Sequence, residues 1–470
     1  MLVEDMKIWE KRWDSLRYQI DDLRDTLREK GAADSSLSSR QKAAVGCLRK
    51  LLECLENFAE GQVGYFKGQF SGKAPGKDES TEYPQEHVMM VTLDQIGYDL
   101  WVISHAISQR FSEVEGVNAT LEKADELSYY ALQPAIRAFG LGKTKIISYL
   151  HKSPSIRVIP YANTALIGIP HTAVYVPRDF LAIPHEVGHF VYWHGVTPAS
   201  ERTADQKELI GTHLEDKAPQ KEAWANRWLE ELFADLYGCY IAGPVLALSF
   251  QDLQMQQSQE DFYHDDNDHP APVLRPNIYA KGVCKADFPN WANLLEKSWN
   301  DDKVGKRHLR STKIARSTKT TGAEVYEYAF KLDDGQTWVE VPKVVSLEPA
   351  KLDALLPVDC LINHIFDKAI TRLKINDNNW WRKGLVDCDE NAGLEALPQL
   401  FEDFDAKVNK LQLDPGVVTE NEKTNINCIP HQELLDRWIT AACPPDPVWL
   451  PVFKADGWTT EGPHGNPTGP

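Results

Sequence analysis

Long apolar runs are missing from this chain. Nowhere in its 470 residues do 18 apolar residues follow one another, so no membrane-spanning helix and no membrane partner are expected. The first 25 residues, MLVEDMKIWEKRWDSLRYQIDDLRD, are charged throughout and contain no apolar core of the kind a secretory signal needs. Positive charge is in deficit too: 51 Lys and Arg stand against 69 Asp and Glu, for a net charge of -18. Phosphate binding needs a basic footprint, so nucleic acid is not an expected partner. The eight cysteines (Cys47, Cys54, Cys239, Cys284, Cys360, Cys388, Cys428 and Cys443) are scattered without a single CxxC pair. They read as reduced thiols of a cytoplasmic protein, not as a disulfide framework or a cysteine zinc site. No internal repeat is present.

What is there is a globular composition, with 42% hydrophobic residues and 14 Trp, in a chain long enough for two or three domains. Apolar residues at three- and four-residue spacing predict helices over 4–30 (Ile8, Trp9, Trp13, Leu16, Ile20, Leu23), stopped by Gly31, and over 38–61, opened by a capping SSRQ. Residues 62–86 read as a long loop. Further helices are expected near 90–112 and 119–139, the latter stopped by FGLGK. These elements make 1–144 a helical N-terminal domain, a packing or partner-docking module in itself. From 145 the texture changes. KIISYL, SIRVIPY, TALIGI and TAVYVP are short β-branched runs that predict strands of a small mixed sheet, within a domain spanning 145–298. Residues 299–322, with seven Lys or Arg up to 321, read as a basic linker or loop. Beyond it, 323–456 should hold a β-hairpin around DDGQ (323–342) and helices near 350–374, 391–412 and 431–442, ahead of a flexible Gly- and Pro-rich tail at 457–470. The fold class is therefore α+β, mostly α-helical.

The chemistry concentrates in IPHEVGHFVYWHG, residues 183–195. His185 and His189 are four apart, so on a helix both rings face one side and can reach a single Zn²⁺. Glu186, beside the first of them, can take the proton of a zinc-bound water. Pro184 requires the helix to begin just before His185, with Asp179 as an upstream cap and Gly195 as a stop. A second segment, EAWANRWLEELFADLYGCY (222–240), carries an apolar stripe (Trp224, Trp228, Leu232, Leu236) flanked by acids. Glu231 and Asp235 share a helix face, where one can ligate a metal and the other hold a ligand histidine from its second nitrogen.

Together HEVGH and EELFAD resemble the gluzincin metallopeptidases, whose pattern is HExxH on one helix and ExxxD on a later one. The resemblance rests on residues 160–280 and implies a zincin-like catalytic domain. It makes His185, His189 and Glu231 the metal ligands, Glu186 the general base and Asp235 the partner of a ligand histidine, most simply His185. Glu230 competes with Glu231 as ligand but lacks an Asp four residues later. The segment DHPAPVLR (268–275) further resembles the HPxxxxR element of the CAAX prenyl protease group, which would put His269 and Arg275 beside the catalytic water to stabilise an oxyanion; Tyr263, His264 and Tyr279 are alternative donors. This chain lacks that group's membrane spans, so prenylated substrates are not implied. His194 differs from the third histidine of metzincins, because it falls five residues after His189 and Tyr192 occupies the glycine position. It reads as a polar residue at a helix C-terminus.

The resemblance thus implies a zinc metallopeptidase that hydrolyses peptide bonds by a metal-activated water, and the expected intracellular placement, long flanking domains and flexible tail suggest limited proteolysis of a specific protein. An extended substrate would add to a free strand edge at TALIGI or TAVYVP. Two other readings use the same residues: a regulatory or interaction protein with a structural zinc site and no turnover, and hydrolysis of a non-peptide bond.

Overall fold

The computed structural model describes residues 3–33, 37–70, 85–142, 144–159, 161–198, 207–218, 223–257, 269–270, 272, 274–299, 309–320, 323–332, 338–340, 356–414 and 426–430. The predicted helix at 431–442, the tail at 457–470, Tyr263 and His264 lie outside them. The fold is mostly helical with a small mixed sheet, an α+β arrangement. By contact density the chain divides into two units: Met1–Tyr129 with Lys143–Val174 and Gln412–Pro470, and Tyr130–Gly142 with Tyr175–Leu411. This differs from the expected boundary at 144/145. The strands after 145 group with the N-terminal helices, and the helices before 411 group with the histidine motif.

In the first unit, α1 (Val3–Ala33), α2 (Ser39–Phe70) and α3 (Gln85–Arg110) surround one apolar core, which Ile147, Tyr149, Tyr161 and Leu166 complete; the start of α4 (Val117–Ala138) belongs to the same unit. The predicted capping box is present: Ser38 Oγ accepts from Gln41 N at 3.1 Å, and Gln41 Oε1 accepts from Ser38 N at 2.7 Å. Trp13 and Ile20 of α1 meet Leu48, Leu51, Leu52, Leu55 and Phe58 of α2 in that core. α1 runs through Gly31, and α2 continues to Phe70 through part of the predicted loop. Val63, at 3% exposure, extends the buried stripe of α2, and that burial outweighs the weak helix propensity of the neighbouring glycines.

β1 (Lys145–His151), β2 (Ser155–Val158) and β3 (Thr164–Pro170) form a sheet in the order β1-β3-β2, with β1 parallel and β2 antiparallel to β3. TALIGI is thus the central strand and offers no free edge. TAVYVP is no strand either: it forms a 3-10 turn at His171–Val174, followed by another at Pro177–Ala182, where Pro177 cannot donate to a ladder. Neither segment can receive a substrate strand as predicted.

One cysteine pair departs from the expectation of reduced thiols. Cys54 of α2 and Cys428 form a disulfide across 374 positions of sequence. Around it Ile429 N donates to Tyr161 O at 2.9 Å, Asn427 N donates to Asn163 Oδ1 at 2.8 Å, and Ile426 enters the apolar core. Spacing within the sequence could not indicate a pair brought together by tertiary structure.

The second unit holds α5 (Ile183–His194), the short ribbon β4 (Val196–Pro198) and β5 (Lys207–Leu209), then α6 (Ile210–Asp216), α7 (Ala223–Ala242), α8 (Pro244–Gln254), α9 (Arg275–Lys285) and α10 (Pro289–Lys297). The predicted basic linker is a strand over much of its length: β6 (Leu309–Thr320) pairs antiparallel with β7 (Ala323–Leu332), and β7 with β8 (Trp338–Glu340) as the predicted hairpin. Its charge had overshadowed the strand propensity of its interspersed Thr and Ile. α11 (Leu356–Lys368) and α12 (Leu397–Asn409) match two predicted C-terminal helices. Among the described residues no helix is long and apolar enough to cross a membrane.

Candidate metal centre

α5 starts where Pro184 requires, with the proline in its first turn, but its N-terminus has no side-chain cap. Asp179 lies inside the preceding 3-10 turn and does not serve as the predicted cap. Gly195 ends the helix as expected, its N–H donating to Val191 O at 2.9 Å. α7 buries the predicted stripe of Trp228, Leu232 and Leu236. α5 and α7 then meet almost backbone to backbone, because a Cβ on Gly188 would lie 2.8 Å from Ala234 Cα.

That approach brings the predicted ligands together. His185, His189 and Glu231 are all buried, and one donor atom from each falls within 4.8 Å of the others. His185 Nε2 and His189 Nε2 are 3.1 Å apart, and they stand 3.7 and 3.5 Å from the two oxygens of Glu231. Metal bonds of about 2.0–2.2 Å in a tetrahedron put neighbouring donors roughly 3.3–3.5 Å apart, so the three side chains fit one ion with little adjustment. Glu186 is buried beside them, and its Oε2 has no hydrogen-bond partner among the described residues. His185 Nδ1 lies 3.0 Å from Asp235 Oδ1, the pairing the sequence predicts.

The numbering runs in opposite directions on the two helices. His185 meets Asp235, whereas His189, one turn further on, meets Glu230 and Glu231, one turn earlier. His189 Nδ1 is 2.7 Å from Glu230 Oε1, which also accepts from Trp193 Nε1 at 2.9 Å. The sequence presents Glu230 only as a rival ligand and gives Trp193 no role. Their positions, one before Glu231 and one turn after His189, are the signal that could have joined them.

His269 and Arg275 also reach the cluster. His269 Nε2 lies 3.0 Å from Glu231 Oε1, and the side chain is about a quarter exposed. Arg275 donates from Nε to Asp235 Oδ2 at 3.0 Å, and from one terminal nitrogen to Asp235 Oδ1 at 2.7 Å and Glu231 Oε2 at 3.2 Å. These guanidinium bonds hold the carboxylates instead of pointing at the unpartnered oxygen of Glu186. Tyr279 packs beneath Arg275, its hydroxyl accepting from Gln254 at 3.3 Å, and Phe250 meets His185 edge-on. His194 stacks on Phe190 and is not a member of the metal group.

Burial works against every charge here, and partners decide each outcome. Burial raises Glu186, and the nearby His185 and His189 offset this only in part. For Glu231 burial is outweighed by His269, His189 and Arg275, which hold it well below the usual carboxylate range. Arg275 and His185 likewise hold Asp235 down against its burial. Burial would lower His189, but Glu231 and Glu230 push it up to about 9. His185, His189 and Glu231, with Glu186, Glu230 and Asp235 around them, thus form a buried group of net negative potential that could hold a divalent ion.

Compared with protein-family models, with curated proteins and with solved structures, the chain finds no match in any of the three.

Proposed function

We propose that this chain is a zinc-dependent hydrolase of the gluzincin type, with a zincin-like catalytic unit, that cleaves peptide bonds in a protein substrate. The observation that carries the proposal is the convergence of His185, His189 and Glu231 from two helices beside a buried carboxylate oxygen, Glu186 Oε2, that nothing described in the chain occupies. A purely structural metal would need the three ligands but not that oxygen. Zinc is the natural ion for two imidazoles and a carboxylate with an open position. The choice of peptide over other hydrolysable bonds rests on the resemblance of HEVGH and EELFAD to gluzincins.

When bound, zinc supplies a Lewis acid and a water of lowered pKa. Glu186 would act as the general base, taking a proton from the attacking water and returning it to the leaving amine, a task suited to a carboxylate whose affinity for protons burial has raised. His269, partly exposed, would have to turn from Glu231 Oε1, 3.0 Å away, to donate to a developing oxyanion. Arg275 keeps Asp235 and Glu231 charged and oriented. The test is Glu186→Gln, which should retain stoichiometric zinc and lose peptide hydrolysis by at least about 100-fold. Turnover like that of the wild type in this variant overturns the mechanism. The substrate is sought among cellular proteins cleaved by the wild type and spared by Glu186→Gln, and specific cleavage is expected in place of general digestion of unfolded protein.

A further inference from the structure

We propose that Glu230 is a positioning residue for the metal, turning His189 to present Nε2, and that Trp193 holds Glu230 in place for that task. The inference rests on the metal-site reading and deepens it. Glu230 adjoins the ligand Glu231, yet successive helical residues point about 100° apart, so the two carboxylates cannot serve one ion from one face. Glu230 instead reaches sideways to His189 Nδ1 at 2.7 Å. With Nδ1 donating there, the lone pair left on the ring is at Nε2, which lies 3.1 Å from His185 Nε2 and 3.5 Å from Glu231 Oε1.

The same oxygen of Glu230 accepts from the Trp193 indole at 2.9 Å. Trp193 follows His189 by one helical turn, so a single stretch of α5 supplies both the ring to be oriented and the clamp on the group that orients it. The centre thus has two arms: Asp235, which Arg275 grips, stands 3.0 Å from His185 Nδ1, and Glu230, which Trp193 grips, is hydrogen-bonded to His189 Nδ1. The arms differ in strength. Asp235 is fully enclosed, whereas Glu230 remains 28% exposed, so water competes for the second arm and its removal should cost less.

The experiment measures zinc affinity of the full chain by competition with a chromophoric chelator, the visible spectrum of the cobalt(II)-substituted protein, and the denaturant stability of the metal-free protein. Glu230→Ala should weaken zinc binding by about tenfold and alter the cobalt spectrum. Glu230→Gln, which keeps an acceptor for Nδ1, should recover part of the loss. Trp193→Phe should shift affinity in the same direction by less. Affinities within about twofold of wild type for both Glu230→Ala and Trp193→Phe, with unchanged cobalt spectra, overturn the proposal whatever happens to metal-free stability. A wild type that binds no zinc removes the metal reading and this inference together. A wild type that binds zinc but hydrolyses no peptide removes only the hydrolase reading.

Discussion

Gly188 faces Ala234 so closely that a methyl group at position 188 would stand 2.8 Å from the Ala234 Cα. The glycine of HEVGH, its fourth residue, therefore sets how near α5 comes to α7, and with it whether Glu231 can reach the two histidines. Gly188→Ala has two opposed effects. Alanine favours the helix by about 1 kcal/mol, but the clash is with backbone, which cannot rotate away, and overpacking of this kind costs about 1–3 kcal/mol. The clash should win. Urea denaturation of the metal-free protein should show a net loss of stability, and chelator competition a weaker zinc site. Unchanged zinc affinity would show that the helix spacing is not set here.

Arg275 pairs with both Asp235 and Glu231 inside the unit. Replacing it by Met leaves two buried carboxylates without that partner, a change that costs about 3–5 kcal/mol. Arg275→Lys should rescue little, because one ammonium cannot reproduce the fork that meets both oxygens of Asp235. Denaturation in the presence of a chelator checks both variants. A Lys variant as stable as the wild type would mean that charge alone, not geometry, is what Asp235 needs.

How much of this was legible depended on whether the causes were local. HEVGH and EELFAD sit on helices with clear apolar stripes, and a four-residue spacing determines a shared face, so the two histidines and the two acids could be paired locally; the choice of Glu231 over Asp235 as a ligand came from the resemblance to gluzincins. The capping pair Ser38 and Gln41 was legible for the same reason. The roles of Glu230 and Trp193 were not, because they depend on the antiparallel crossing of α5 and α7. The pairing of Cys54 with Cys428 and the central place of TALIGI in its sheet are likewise set by partners far away in sequence. At 309–320 a dense run of Lys and Arg resembles a solvated loop, although the backbone pairs as a strand.

The disulfide offers a separate test within the first unit. Cys428 sits in a short segment that bridges to Ala162, and the covalent link closes a loop of several hundred residues. Cys428→Ser, or reduction of the wild type, should lower stability by about 2–4 kcal/mol, since the unfolded chain regains the freedom the link removes. Free-thiol counts before and after reduction, taken with thermal unfolding, check it. Eight reactive thiols in unreduced, denatured protein would restore the expectation drawn from the sequence. The link also removes the ground on which a reducing compartment was expected.

The pH dependence follows from His189, and its sign can be worked out. Its folded-state pKa, about 9, is raised above the ordinary 6.5, although burial acts the other way, because Glu231 and Glu230 favour the imidazolium. A raised pKa means that protonation favours the folded state. The contribution is complete below pH 6.5 and disappears as pH rises through about 9. Stability of the metal-free protein should therefore fall across that window. Zinc binding should move the opposite way, because the ligand must be neutral and the ion displaces one proton. Apparent affinity should rise by about tenfold per pH unit until His189 has titrated, then level off. Chelator competition from pH 6.5 to 9.5, alongside denaturation of the metal-free protein, measures both slopes. Zinc affinity flat across this range would show that His189 is already neutral in the folded metal-free protein, and that its carboxylate partners do not hold the proton there.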